Sequence, residues 1–354
     1  VRPQGMGFNT GRRNMVINGA MQVAQRGTSA TGKTASGYYA IDRMENLFSG
    51  LGTWTIEQST DAPDGFSNSF KMTATVADAS PAAGDYAQMR TSLEGNSLQH
   101  LKYGTSGALA TTVSFWVKAT KTGSFTFVAR NFDGNTRMFS KNVSISAADT
   151  WEYKTVTIPG DTGDTIDNDN GTGLELAFWV NAGSTFSGGS EMSTWAAQVN
   201  ANKYLGTIDI GASVNDAIQF TGFQFEVGEN ASDFEHRSYG EELGLCQRYF
   251  YRWISESNYG NLSMGVSINT TKARGLHTLP VEMRSQPTFS SNGTFRIAEF
   301  GGHSANTTDE SITRNHKRTP FMNFTVASGL TNGKPAELGA NNDDDAFCDF
   351  DAEL

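Results

Sequence analysis

Thr111 to Arg130 reads TTVSFWVKATKTGSFTFVAR, two runs that alternate apolar and polar residues on either side of Lys121-Thr122-Gly123. A two-residue period is that of a strand buried on one face, and a Gly-containing break between two such runs reverses the chain. The stretch therefore predicts two antiparallel strands, Thr111 to Lys118 and Ser124 to Arg130. Outward from it the same pattern recurs in Arg137 to Ile145, Trp151 to Ile158, Leu174 to Asn181 and Ile218 to Val227, with a further turn at Asp133-Gly134-Asn135. No helical pattern long enough for a crossover lies between these runs, so the expectation is an all-β sandwich and not a βαβ fold. Only Thr194 to Asn202 and Gly240 to Tyr249 read as short helices.

The second of these marks a boundary, because the segment before it is polar and a new strand series follows it. Gly260 to Thr270, Arg274 to Leu279, Thr294 to Phe300 and Met322 to Ala327 are the strand candidates of a smaller C-terminal β domain, with Pro280 and Pro287 at an edge or turn. The termini contrast in charge. Arg2, Arg12, Arg13 and Arg26 stand in the first 26 residues without an acid, whereas Asn341 to Leu354 holds six acids and no base. The reading is a basic arm over residues 1–26 that attaches to a partner or forms a trimer, and an acidic tail in solvent. The expected organisation is an arm (1–26), a sandwich (27–238), a linker helix (239–250) and a C-terminal β domain (251–354).

Composition narrows the function classes. With 354 residues, 27 basic against 37 acidic side chains and a net charge of -10, the chain lacks the clustered cations that nucleic-acid binding needs. Its 23 Phe, 10 Tyr and 6 Trp can bury a sizeable core, so disorder is not expected. No apolar run has the length of a membrane span or the form of a signal peptide. Cys246 and Cys348 read as two independent buried thiols.

Signatures of chemistry are sparse. Gly27 to Thr34 (GTSATGKT) fits the phosphate-loop pattern, yet Gly37, Tyr38 and Tyr39 follow where a helix is required, so an inert surface loop is expected around Lys33. His100, His236, His277, His303 and His316 show no zinc spacing, and the carboxylates of Asp161 to Asn170 miss the calcium-loop pattern. No cofactor, metal site or catalytic residue is assigned. FWVKA at Phe115 to Ala119 and FWVNA at Phe178 to Ala182 place Trp116 and Trp179 beside polar neighbours, where an indole can stack on a sugar ring; core packing is the competing reading. Trp253 and Tyr259 are the corresponding glycan-binding candidates of the C-terminal domain.

Several stretches carry a family resemblance: NMVINGAMQVAQRG (Asn14 to Gly27), YAIDRM (Tyr39 to Met44), SFWVKATKTGSFTF (Ser114 to Phe127), AADTWEYKTVTIPGDT (Ala147 to Thr162), STWAAQVNANKYLG (Ser193 to Gly206) and FTGFQFEVGENASDFEHRSYGEELGLCQRYF (Phe220 to Phe250). In this order they resemble a family of phage tail-fibre and related virion proteins of marine and cyanobacterial phages. Met44 departs from the family pattern, which has Trp after the Asp-Arg pair. The resemblance implies a jelly-roll sandwich like that of carbohydrate-binding modules, on a trimeric, non-enzymatic virion appendage made in the host cytoplasm. Its implied partners are further copies of itself, other tail or capsid proteins, and a host-surface polysaccharide or receptor met by the variable C-terminal tip. A connector or decoration subunit is the alternative, and a depolymerase would need paired carboxylates in a groove.

Overall fold

The structure, a computed structural model, describes residues 12–354. The chain divides into two compact units, Val1–Glu242 with Leu354, and Leu243–Glu353. The division falls within the helix α1 (Tyr239–Gln247).

Thirteen strands lie among the described residues of the first unit. They are β1 (Ser29–Lys33), β2 (Gly37–Tyr38), β3 (Glu45–Ser49), β4 (Thr53–Ser59), β5 (Ser69–Val76), β6 (Tyr86–Glu94), β7 (Thr111–Ala119), β8 (Gly123–Asn131), β9 (Arg137–Ile145), β10 (Glu152–Ile158), β11 (Thr172–Ala182), β12 (Ala196–Ala197) and β13 (Ala217–Val227). They form a six-stranded sheet in the order β1-β4-β5-β13-β7-β10 and a seven-stranded sheet in the order β12-β9-β8-β11-β6-β3-β2. Neighbouring strands in both sheets are antiparallel, and the chain crosses repeatedly from one sheet to the other, which is jelly-roll connectivity.

Alternation explains what the sheets bury. On β7, Val113, Phe115 and Val117 turn inward; on β11, Leu174, Leu176, Phe178 and Val180 do so from the other sheet. Phe178 stacks on Phe220 with ring centroids 4.5 Å apart and planes within 8°. Full burial of each such ring contributes about 1.5–3 kcal/mol, so this aromatic cluster is a large part of what holds the sheets together.

The second unit has ten strands: β14 (Phe250–Ile254), β15 (Asn261–Ser267), β16 (Lys272–Leu276), β17 (Thr288–Asn292), β18 (Phe295–Glu299), β19 (Ser304–Asn306), β20 (Asp309–Arg314), β21 (Phe321–Thr325), β22 (Pro335–Ala340) and β23 (Phe347–Asp351). A three-stranded sheet, β14-β23-β17, and a seven-stranded one, β19-β18-β22-β15-β16-β21-β20, enclose a core of Phe295, Ile297, Met322, Phe324, Leu338 and Phe350.

Four expectations need correction. Residues 14–26 are no separate arm: Val16, Met21 and Val23 are fully buried, the first two in the sandwich core, and the Asn18 side chain bonds Val23 and the Asp42 carbonyl. Three apolar side chains needing cover outweigh the few bases around them. Thr194 to Asn202 forms the two-residue strand β12 and one 3-10 turn (Asn200–Asn202), not a helix. The acidic tail is not a solvated one, because β23 is the central strand of its sheet: Cys348 and Phe350 face the core, and Asp349 on the other face accepts two 2.7 Å bonds from Arg252. Residues 29–33 of the phosphate-loop pattern form a sheet-edge strand, with Lys33 over the Tyr39 ring at 4.8 Å.

Candidate functional site

Trp116 lies on β7 with its side chain on the outer face of the six-stranded sheet, half-buried between two neighbours that the strand register supplies. On one side β10 pairs Tyr153 directly opposite it. The rings are 5.4 Å apart at 52°, and Tyr153 remains 46% exposed. On the other side β13 pairs Thr221 with Trp116, then carries one extra residue before Gln224 meets Ser114. Gly222 lies in this bulge at φ +61°. A bulge with a left-handed glycine bends the strand and opens space beside it. Phe66 fills that space, for a Cβ on Gly222 would stand 2.8 Å from its Cζ and 3.1 Å from Trp116 Cδ1.

From Phe66 the strip continues. Phe234 packs edge-on at 5.0 Å, and exposed His236 lies 5.2 Å from Phe66 and 4.8 Å from Phe234. Aromatic faces thus run from His236 through Phe234, Phe66 and Trp116 to Tyr153.

A polar cluster flanks the strip. Asp61 accepts hydrogen bonds from Lys118 Nζ (2.6 Å), Gln219 Nε2 (3.1 Å) and Trp151 Nε1 (3.2 Å). Ser69 Oγ in turn donates to Gln219 Oε1 at 3.0 Å. Partial burial pushes the Asp61 carboxyl up, but the three donors and the Lys118 charge outweigh it and hold the group below its ordinary value. The carboxylate is therefore ionised at neutral pH, and it fixes an indole, an ammonium and an amide in one patch. Half-exposed rings next to oriented donors and acceptors can cover the apolar face of a sugar while bonding its hydroxyls.

Trp179 takes no part in such a surface. It projects from the other sheet, is only 2% exposed, and is covered by Tyr86, Phe186 and Tyr204. The reason is the segment after β11, which folds back over the sheet and brings Lys203 Nζ to 5.8 Å from the indole and 5.4 Å from Phe186. Burial there, with the Arg130 charge adding and Glu175 opposing, pushes the Lys203 ammonium down to about 8. The same outer face carries Glu175 between Arg90 and Arg130, with Glu45 also on Arg90. Both carboxylates are tied up by guanidinium groups.

In the second unit Trp253 is half-buried with its ring toward Phe295 at 6.3 Å. It lines a groove of about 420 Å³ with Tyr251, Arg252, Ile254, Ser257 and Asn261. Tyr259, 54% exposed, lies outside that lining and carries the Arg296 guanidinium over its ring at 4.7 Å. Among the attachment candidates, Arg2 lies outside the described residues. Arg12 pairs with Glu241 at 2.8 Å, Arg13 bonds Ser232 Oγ at 2.9 Å, and Arg26 lies 4.0 Å from Asp42 and over Tyr38. The three bases are engaged within their own chain. The sequence reading missed Phe66, Tyr153, Phe234, His236 and Asp61; only Tyr153 carried a signal, by alternation along β10.

No family model and no curated protein sequence matches this chain. Among solved structures, the enzymatically active domain of bacteriophage CBA120 tailspike protein 4 is similar at 13% identity and TM-score 0.32, over 61% of this chain and 21% of that one. A CBM4 structure is similar at 14% identity and TM-score 0.31, over 60% of this chain and 98% of that one. The family 11 carbohydrate-binding module from Clostridium thermocellum, in complex with a mixed-linked tetrasaccharide, is similar at 12% identity and TM-score 0.29, over 58% and 99%. The chain spans about a fifth of the tailspike's length.

Proposed function

We propose that the chain is a structural subunit of a phage tail fibre or related virion appendage that adheres to host-surface glycan, acting by binding and not by bond cleavage. The observation that carries the glycan reading is the strip from His236 to Tyr153 with the Asp61 cluster at its side. The virion assignment rests on the ordered sequence resemblance from Asn14 to Phe250. Homotrimeric assembly would multiply weak sugar contacts through effective concentration, and other tail or capsid proteins would be the remaining partners. The test is binding of the full chain to a panel of bacterial surface polysaccharides, with Trp116→Ala and Tyr153→Ala beside it. Each substitution is expected to weaken binding at least about tenfold, the equivalent of 1.4 kcal/mol. Unchanged binding by both variants refutes the site.

A connector or decoration subunit is the second reading, and one observation favours it. Met264, Val266 and Leu276, on the paired strands β15 and β16, are 50%, 38% and 46% exposed. Apolar side chains grouped on an open sheet face are a usual mark of a protein partner. Footprinting of intact particles separates the readings, since a connector has this face covered and an adhesin leaves its glycan strip open.

A further inference from the structure

We propose a second saccharide site, specific for uncharged sugars, in the groove between β17 and β20; it rests on the glycan-binding reading above and extends it to the second unit. Both strands are edges of their sheets, and the groove they line holds about 400 Å³. That is the size of a small-ligand pocket and gives room for a mono- or disaccharide. Its apolar surface comes from Phe289 and Ile312, each half-buried against the core, with Phe289 braced on Phe350 at 5.4 Å. Around them stand Gln286, Thr288, Ser311 and Asn315.

Asn315 gives the site its polarity. Its Nδ2 donates to the Pro287 carbonyl at 2.6 Å, and because a carbonyl can only accept, that bond fixes which way the amide points. Its Oδ1 is then a buried acceptor that no protein donor reaches. An unmet buried acceptor is unfavourable, and a ligand hydroxyl donating to it would relieve that cost. Glu310 also lines the groove, with its carboxylate held by the hydroxyls of Ser291 and Thr307. A fixed negative charge beside an orphan acceptor repels sulfated and sialylated sugars and suits neutral hydroxyls. An extended peptide is the poorer occupant: β20 shifts register between Ile312 and Arg314, which breaks the regular edge that strand addition uses.

The experiment uses the full chain on a printed panel of neutral, sialylated and sulfated oligosaccharides. The double variant Trp116→Ala/Tyr153→Ala is expected to keep a neutral subset of ligands. Adding Thr288→Trp, at an exposed position on the rim, is expected to weaken that subset at least tenfold, and Asn315→Leu, which removes the Oδ1 acceptor at similar volume, to do the same without filling the groove. If the double variant loses every ligand and Thr288→Trp leaves wild-type binding unchanged, this site is overturned while the strip stands. If the double variant binds as wild type and Thr288→Trp abolishes binding, the strip fails and this site stands. Retention of anionic sugars through the groove, no neutral ligand at all, or displacement of the panel ligands by an unstructured peptide also overturns the proposal.

Discussion

Gly222→Ala isolates what the bulge contributes. Gly222 sits at φ +61°, where an L-residue costs about 1–2 kcal/mol. The new methyl would also stand 2.8 Å from Phe66 Cζ. The ring must turn away, and an off-rotamer side chain costs about 0.5–1.5 kcal/mol. Together these predict a loss of about 1.5–3.5 kcal/mol. For a unit of this size each kcal/mol lowers the melting temperature by about 2–4 °C, so the midpoint should fall by roughly 3–14 °C. Near-ultraviolet circular dichroism during thermal and urea unfolding reads both the midpoint and the environment of the indoles. A cycle with Phe66→Ala separates the two causes: on that background the contact is gone and only the backbone cost of about 1–2 kcal/mol remains. Equal losses in both backgrounds, or a loss below about 0.5 kcal/mol in the wild type, would refute the idea that Gly222 makes room for the strip.

Three more outcomes follow from the same geometry. Arg137→Met should cost about 3–5 kcal/mol in urea denaturation, because Asp161 is fully buried and Arg137 Nε is its partner at 2.9 Å; a loss under about 1 kcal/mol contradicts this. His277 is held neutral by burial, which outweighs its bond to the Leu262 carbonyl; its Nε2 has no partner, and the ring stacks on Phe350 at 5.2 Å. Its folded value lies below the ordinary one of about 6.5, so the unfolded chain takes up the proton first and stability falls as pH drops below that value. His277→Phe should flatten this part of the pH profile, and an unchanged slope between pH 7 and 5 counts against it. Lys33→Ala should leave isothermal titration with ATP as flat as in the wild type, since residues 29–33 form an exposed edge strand.

The sequence made β7, β8, β9, β10, β11 and β13 legible because each carries a run of alternating apolar and polar residues bounded by turn residues, although in β13 the alternation changes phase at the Gly222 bulge. It hid β1, whose SATGK is mostly exposed and so has no apolar face to betray it. It hid β23 for the opposite reason: Asp349 and Asp351 dominate FCDFD to the eye, although they only occupy the outward half of the alternation. Of the site, Trp116 was readable as an outward indole on a strand. Phe66, Phe234 and His236 were not, because they stand outside regular strands and meet Trp116 only through the bulge at Gly222. Trp179 shows the limit of alternation, which states the face a side chain takes and not whether another segment later covers that face.

Cys246 and Cys348, both fully buried and neither in a disulfide, fall in the second unit, and the first has no cysteine at all. Burial, with the charges of Glu310 and Asp349 adding, drives the Cys348 thiol upward and away from its reactive anion. A thiol reagent added to the native protein therefore reports only the moments at which the second unit opens, while the sandwich is silent to it. The molecule carries its own selective clock: labelling rates measured with and without a candidate sugar would time the opening of one unit in an intact assembly, with no engineered probe.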